Sequence, residues 1–425
     1  MIFTRLARKN GAASTFALAI ALATGGMIGA AAIEAPAIAQ KKPKYSKGFI
    51  AAYGPLQEAL SAEAVDGAAV KTLIPSVVSA IENESDRFAA GGAIVNASQK
   101  LNDMGLALQG LELMLQSGQV APEQIGVVNL QAGQIAYNQK QYEKARQYLR
   151  AALDAGYTEN NPEGVIAESY FAEERDAEGL AYLEGVIDAR KQAGQPVDES
   201  WLQRGIAVAY RASMKEQAQK FANWYVADYP SETSWRDAIA ILLNTGGYEN
   251  PEILDLLRLG RRAGTLNDGR LYMEYVDAAD YRRLPAEVVS VIDEGKASGL
   301  LPADDPYVND TRNQAADRVA ADRADMDNLT ADARAAGANV RTVMAAGDAL
   351  LSLGRPADAE EFYVKAAGMG GAEAQMALTR LGIAQFDQGK FAEAEATFEK
   401  VEGPRAPIAN LWAIYATQQD GSAAM

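Results

Sequence analysis

Apolar and small residues between positions 127 and 137 recur at helical spacing, and a second run with the same spacing extends from Tyr142 to Ala152. The polar segment 138–141 interrupts the period. Residues three and four positions apart lie on one face of a helix, so the two runs predict a helical hairpin. Gly133 and Ala145 are small at the predicted crossing, which allows the two axes to approach to about 8 Å.

The same pattern recurs near the C-terminus, where residues 343–366 and 378–401 each contain two helical runs with a short break between them. Gly347 and Gly382 are 35 positions apart. Other pairs of similar residues keep the same offset, namely Gly354 and Gly389, Ala359 and Ala394, Tyr363 and Phe398, and Ala366 and Val401. A regular offset of this kind predicts repeated hairpins.

A fourth hairpin is indicated by residues 201–210. In the other three hairpins, the first small residue precedes the second by 12 positions, as Gly133 precedes Ala145. The corresponding step from Gly205 to Ala218 is one residue longer. We therefore expect a different turn in this hairpin.

These residues resemble the tetratricopeptide repeat family, whose unit of about 34 residues has a large residue, Leu-Gly, an aromatic, Ala and Phe at fixed positions. Leu381, Gly382, Phe391, Ala394 and Phe398 match this signature best. The resemblance implies an all-α fold, a helical-hairpin repeat superhelix of the TPR-like α-solenoid type, in which each hairpin stacks on the next. It also implies a concave groove that is lined by first helices and binds a peptide or protein.

Polar and aromatic residues on the first helices are the binding residues that this resemblance places in the groove. They are Gln134, Tyr137 and Asn138 in the first clear hairpin, Arg341 and Asp348 in the second, and Arg380 and Asp387 in the third. Ordinary solvated surface is the alternative interpretation for each of them.

Composition and pattern divide the chain into six segments. They are a signal peptide at 1–39, an N-terminal helical cap at 40–95, degenerate repeats at 96–300, an acidic loop and one long helix at 301–338, two clear hairpins at 339–405, and a C-terminal capping helix and tail at 406–425. Weaker hairpins are indicated around 162–188 and 269–296.

The first segment has the layout of a secretory leader. Arg5, Arg8 and Lys9 precede an uncharged apolar run at 12–33, and the small-x-small site 37–39 follows it. This order predicts cleavage before Gln40 and export through the general secretory route. An uncleaved anchor is the alternative. We expect the mature protein in the periplasm without stable membrane insertion, and the sequence leaves full secretion open.

The charge of the chain excludes one class of partner. Asp and Glu number 56 against 40 Lys and Arg, giving a net charge of −16, which would become −18 without the leader. Nucleic acid requires clustered cations, so we expect no nucleic-acid partner.

Many catalytic mechanisms fall away because the chain contains no His and no Cys. Ser-His-Asp triads, cysteine nucleophiles and zinc sites with imidazole or thiolate ligands are excluded. Segment 368–373 has two glycines of a dinucleotide-binding loop, but Glu373 stands in place of the third. The segment therefore predicts a turn between hairpins. Glu168-Ser169 resembles the Glu-Ser of lytic transglycosylases, but Tyr170 fits a helical hairpin better. We therefore expect no enzyme activity, no cofactor and no metal.

The combined interpretation is a non-catalytic exported scaffold that recognises a protein or peptide partner at the cell envelope. One alternative is a carboxylate-type enzyme acting on envelope glycan, which requires two acidic side chains about 5–10 Å apart in a cleft. The other is a structural spacer that self-associates. The sequence does not determine the partner, the pathway or the oligomeric state.

Overall fold

The computed structural model describes residues 43–423, and within that range every regular element is helical. The α-helices are α1 Lys47–Ser61, α2 Gly67–Ser79, α3 Glu84–Leu101, α4 Met104–Gln116, α5 Pro122–Asn138, α6 Tyr142–Asp154, α7 Pro162–Phe171, α8 Asp176–Gln192, α9 Glu199–Arg211, α10 Lys215–Asp228, α11 Glu232–Thr245, α12 Asn250–Arg262, α13 Gly269–Ala279, α14 Pro285–Ala297, α15 Pro306–Arg334, α16 Val340–Ser352, α17 Pro356–Gly368, α18 Ala374–Asp387, α19 Phe391–Phe398 and α20 Ala406–Ala423. A single 3-10 turn, Gly403–Arg405, precedes α20.

The four predicted hairpins are confirmed as the pairs α5 and α6, α9 and α10, α16 and α17, and α18 and α19. Each pair is joined by three residues, and the middle residue has a positive φ. These middle residues are Lys140, Ser213, Gly354 and Gly389, with φ of 60°, 57°, 70° and 75°. The expectation of a different turn after α9 was wrong, because the additional residue extends α9 and leaves the turn unchanged.

The small residues at the helix crossings have the predicted role. A Cβ atom at Gly133, Gly205, Gly347 or Gly382 would lie closer than 3.0 Å to a side chain of the paired helix. The side chains are Leu149, Phe221, Tyr363 and Phe398, each 16 positions after its glycine. Glycine therefore creates the space that the larger side chain fills, and this step is the same in all four hairpins.

The described residues form two compact units, and the division at residue 182 falls inside α8. In the N-terminal unit, residues 43–182, successive helices pack on one another around buried clusters that include Leu56, Ile94, Leu111 and Leu149. The sequence pattern does not indicate this division.

In the C-terminal unit, residues 183–423, the last helix packs against helices that lie much earlier in sequence. The long helix expected after residue 301 is present as α15. The last helix, α20, packs against its neighbour α19 and also against α10, α12 and α18. It was expected to cap the array, and it also joins the C-terminal hairpin to helices whose contacting residues lie 157 and 192 positions earlier in sequence.

Candidate functional site

An ion cluster at the centre of the C-terminal unit surrounds Asp255 on α12, which is fully buried. Its Oδ1 accepts hydrogen bonds from Arg258 Nη1 at 3.0 Å and Arg380 Nε at 3.2 Å, and its Oδ2 accepts one from Arg405 Nη1 at 2.7 Å. Burial opposes its ionisation, but the three guanidinium groups outweigh that penalty and lower its pKa. We call Asp255 and its three arginines the closing cluster.

Glu287 on α14 extends the closing cluster. Its two carboxylate oxygens accept hydrogen bonds from Nε and Nη2 of Arg258 at 2.8 and 2.6 Å, and Oε1 also accepts one from the Tyr275 hydroxyl at 2.7 Å. Burial would raise its pKa, but the charge of Arg258 and these hydrogen bonds prevail and lower it to about 2. The carboxylate is therefore a charged, structural group.

Asp348 on α16 links the closing cluster to a neighbouring cleft. Its Oδ2 accepts from Arg380 Nη1 at 2.6 Å, and its Oδ1 accepts from the Tyr363 hydroxyl at 2.9 Å. Burial, and then the nearby Asp348 charge, raise the pKa of Tyr363. Asp348 is therefore held by two buried partners and is only 6% exposed.

Three side chains of α20 donate hydrogen bonds to backbone oxygens of the earlier helices. Trp412 Nε1 donates to the backbone oxygen of Asp255 at 2.9 Å, and the Tyr415 hydroxyl donates to that of Arg262 at 2.7 Å. Gln418 Nε2 donates to the backbone oxygen of Val226 at 2.7 Å. Nearby, Arg262 Nε donates to Asp387 Oδ1 at 2.7 Å. α20 is thus fixed by directional contacts as well as by apolar packing.

The second feature of this unit is a cleft of about 480 Å³. Its walls are the turn before α14, the middle and second half of α15, most of α16 and the start of α18. It is lined by Arg282, Arg283, Leu284, Arg318, Asp322, Asp325, Met326, Leu329, Arg341, Met344, Ala345, Asp348, Ala349, Glu373 and Met376. We call this the arginine cleft.

Apolar side chains form the floor of the arginine cleft, and charged groups surround it. Leu284, Met326 and Met344 are buried. Arg318 and Arg341 are exposed, and the structure gives neither guanidinium an ion pair or a hydrogen bond within residues 43–423. Asp322 is four residues after Arg318, yet no ion pair joins them in this part of the chain. The cleft therefore presents two available cations beside an apolar surface.

The seven binding residues predicted from the repeat pattern have different surroundings in the structure. Arg341 and Asp348 line the arginine cleft together. Arg380 is fully buried in the closing cluster, and Asp387 pairs with Arg262. Asp255 and Asp348 already bind the Arg380 guanidinium through Nε and Nη1, and burial keeps its remaining nitrogen away from a ligand in solvent.

The remaining three predicted residues belong to α5 in the N-terminal unit. Gln134 and Tyr137 are half-buried, and Asn138 is exposed at the end of the helix. The Tyr137 ring makes an edge-on contact with Tyr142, with centroids 5.5 Å apart. Tyr137 also packs against an apolar core cluster, so its ring serves the stability of this hairpin.

Other residues of the arginine cleft were missed by the sequence analysis. Arg318, Asp322, Met326 and Leu329 recur at helical spacing on one face of α15. That spacing could have identified a functional face. Segment 301–338 was expected only to form an acidic loop and one long helix, because it lies outside the repeat pattern.

Several sequence motifs have structural roles. The Ser169 hydroxyl is fully buried, accepts from Arg146 Nη1 at 3.1 Å and donates to a backbone oxygen of its own helix. Gly370 and Gly371 have positive φ in the turn after α17, as predicted for that segment.

None of the helices within residues 43–423 is both long and apolar enough to span a bilayer. The predicted leader at 1–39 lies outside this range. The same part of the chain contains no group of three or more acidic residues arranged to hold a metal ion.

Comparison with known proteins identifies one repeat. The sequence profile of the tetratricopeptide repeat family matches residues 128–155, which include most of α5 and all of α6. No curated protein matches the chain.

Solved structures provide distant similarities. A chain in the structure of Naa15/Naa10 bound to HypK-THB is 13% identical, with a TM-score of 0.35 over 88% of this chain and 66% of that one. The P58(IPK) TPR domain is 11% identical, with a TM-score of 0.24 over 88% and 99% of the two chains. A Rap protein complexed with competence and sporulation factor is 12% identical, with a TM-score of 0.23 over 83% and 89%. From the profile match and its own helices, residues 128–155 are a tetratricopeptide repeat within an all-α fold of repeated helical hairpins.

Proposed function

We propose that this protein is a non-catalytic, exported scaffold that recognises a protein or peptide partner at the cell envelope. The tetratricopeptide repeat and the helical hairpins support a role in protein interaction, which is the general use of this repeat. The leader-like pattern of residues 1–39 supports export to the periplasm.

The arginine cleft is the observation that carries this proposal. It brings together Arg341 and Asp348, two of the residues predicted to bind a partner. Its volume of about 480 Å³ lies within the usual range of ligand sites, and its floor is apolar with a few charged groups. Asp348 is already bound by Arg380 and Tyr363, so it positions the wall of the cleft while Arg341 is available to a partner.

Affinity capture from intact envelopes tests the proposal, with the chain from Gln40 as bait. The variant carries Arg318→Glu and Arg341→Glu, two exposed side chains of the cleft. Arg323→Glu is the matched control, because Arg323 is exposed on the same helix but does not line the cleft.

We expect a partner that is captured by the parent chain and the control and is lost with the double variant. Purified partner should then bind the purified chain directly. Equal capture by all three chains would refute the cleft as the binding surface. The N-terminus of the envelope form, measured by mass spectrometry, tests export separately, and we expect Gln40.

A further inference from the structure

Resting on the proposed function, we infer that the partner segment is an acidic stretch of peptide that places one large apolar side chain on the floor of the arginine cleft. The carboxylates of the segment would bind Arg318 and Arg341 on either side of that side chain. The observations behind this are the unpaired arginines, the buried methionines and the arrangement of the acidic residues in the same cleft.

The arginines of the cleft indicate an acidic ligand. Four arginines line the cleft in a chain whose net charge is −16. Arg283 lies 3.9 Å from Asp348, whereas Arg318 and Arg341 have no ion pair within the described residues. A guanidinium group binds a carboxylate through two parallel hydrogen bonds, so an acidic side chain is the natural complement of each.

The acidic residues of the cleft limit where such a ligand can lie. Asp348 is neutralised by Arg380, which leaves Asp322, Asp325 and Glu373 against four arginines. Asp325 is exposed and accepts a hydrogen bond from Asn328 Nδ2 at 2.9 Å. The cleft thus retains an excess of positive charge, and its own carboxylates would repel a misplaced acidic segment.

The floor determines the apolar part of the ligand. Met326 and Met344 line the floor from beneath, 5% and 4% exposed, while Leu329 and Met376 are half-buried and offer its accessible apolar surface. Methionine is unbranched and adapts to side chains of different shape. A leucine or methionine side chain of the partner would therefore be accepted, while alanine would leave the floor uncovered.

The direct test measures binding of labelled heptapeptides by fluorescence anisotropy. Each peptide is acetylated and amidated and has three glutamates on either side of one central residue. We expect the peptide with a central leucine to bind more tightly than the alanine peptide by at least about tenfold. A peptide with lysines in place of the glutamates should not bind. Equal binding of the acidic and basic peptides, or of the leucine and alanine peptides, would overturn the inference.

Variants of the chain test whether the leucine peptide binds in the arginine cleft. Arg318→Glu with Arg341→Glu should weaken the binding of the leucine peptide by about tenfold or more. Arg323→Glu should change its affinity by less than about twofold. Asp322→Asn with Asp325→Asn should strengthen the binding of the leucine peptide, because the substitutions remove two carboxylates that repel its glutamates. Weaker binding to this last variant would show that the cleft holds cations of the ligand, and the inference would fail.

A photo-crosslink separates failure of this inference from failure of the proposed function. The chain has no cysteine, so Ala345→Cys in the cleft can carry a single benzophenone, with exposed Ala320→Cys outside it as control. An acidic partner segment crosslinked only from position 345 supports the inference. A segment that is not acidic refutes the inference and leaves the scaffold function intact. A crosslink only between two copies of this chain refutes both.

Discussion

The C-terminal unit contains two groups of arginines that differ in what surrounds them. In the closing cluster, Arg258 and Arg380 are fully buried and Arg405 nearly so, and Asp255 binds all three. In the arginine cleft, Arg318 and Arg341 are exposed and have no ion pair within residues 43–423. From the sequence, Arg341 and Arg380 were both expected to line the binding groove.

The difference shows that residue type and placement on the first helix of a hairpin do not separate a structural arginine from an available one. Arg380 meets Asp255, which lies 125 positions earlier, because α18 packs against α12. Arg341 lies at the start of α16 and faces the cleft. Burial and partners therefore decide which arginine stabilises the unit and which is free to bind. Substitutions in the two groups of arginines and their partners test this difference.

Removing the central charge of the closing cluster should have the largest effect. Asp255→Asn leaves buried arginines without their shared carboxylate, and we expect a loss of about 3–5 kcal/mol in the free energy of unfolding. All four tryptophans lie in the C-terminal unit, so urea unfolding followed by tryptophan fluorescence reports on this unit. The exposed Asp327→Asn is the control, with an expected change below about 0.5 kcal/mol. Equal midpoints for the two variants would contradict a structural role of the cluster.

Trp412 is the main apolar anchor of α20. Removing it tests whether the closing cluster alone can hold α20 against the earlier helices. Trp412 is fully buried and stacks on Phe398, with centroids 5.6 Å apart. Trp412→Ala should lower the free energy of unfolding by about 3 kcal/mol, because it leaves a cavity and removes the hydrogen bond to Asp255. Circular dichroism is the appropriate measurement, since the substitution removes a fluorophore. Unchanged stability would mean that the closing cluster holds α20 without this anchor.

The low pKa of Glu287 predicts a loss of stability in acid. Folding lowers its pKa from an ordinary 4.5 to about 2, so its contribution is present above pH 4.5 and is lost as pH falls toward 2. The full contribution corresponds to about 3 kcal/mol. Glu287→Gln should flatten the fall in stability between those pH values, as measured by urea unfolding at each pH. An identical pH profile for the variant and the parent would contradict the assignment.

Arginines of the cleft should contribute little to stability. Arg318→Ala and Arg341→Ala should each change the free energy of unfolding by less than about 0.5 kcal/mol, because neither guanidinium has an ion pair to lose among the residues that the structure describes. The same variants should weaken partner binding by a few-fold. A destabilisation as large as that of Asp255→Asn would erase the distinction between the two groups.

The helices themselves could be predicted because their periodicity is local. Gly382 and Phe398, for example, mark a hairpin from positions only 16 residues apart. The closing cluster could not be predicted, because Asp255 on α12 and Arg380 on α18 are 125 positions apart and no period relates them. The arginine cleft was found in part, through Arg341 and Asp348, but Arg318 lies on a helix outside the repeats.

The position of α20 also has a consequence for synthesis. A ribosome makes the chain from its N-terminus, so Asp255 emerges long before Arg380, Arg405 and Trp412. Until then this buried carboxylate has only Arg258 of its three arginines, and α12 lacks the helix that covers it. Such long-range contacts form late and slowly. Chains interrupted before residue 405 would therefore expose an acidic, partly apolar surface, which would mark them for proteolysis.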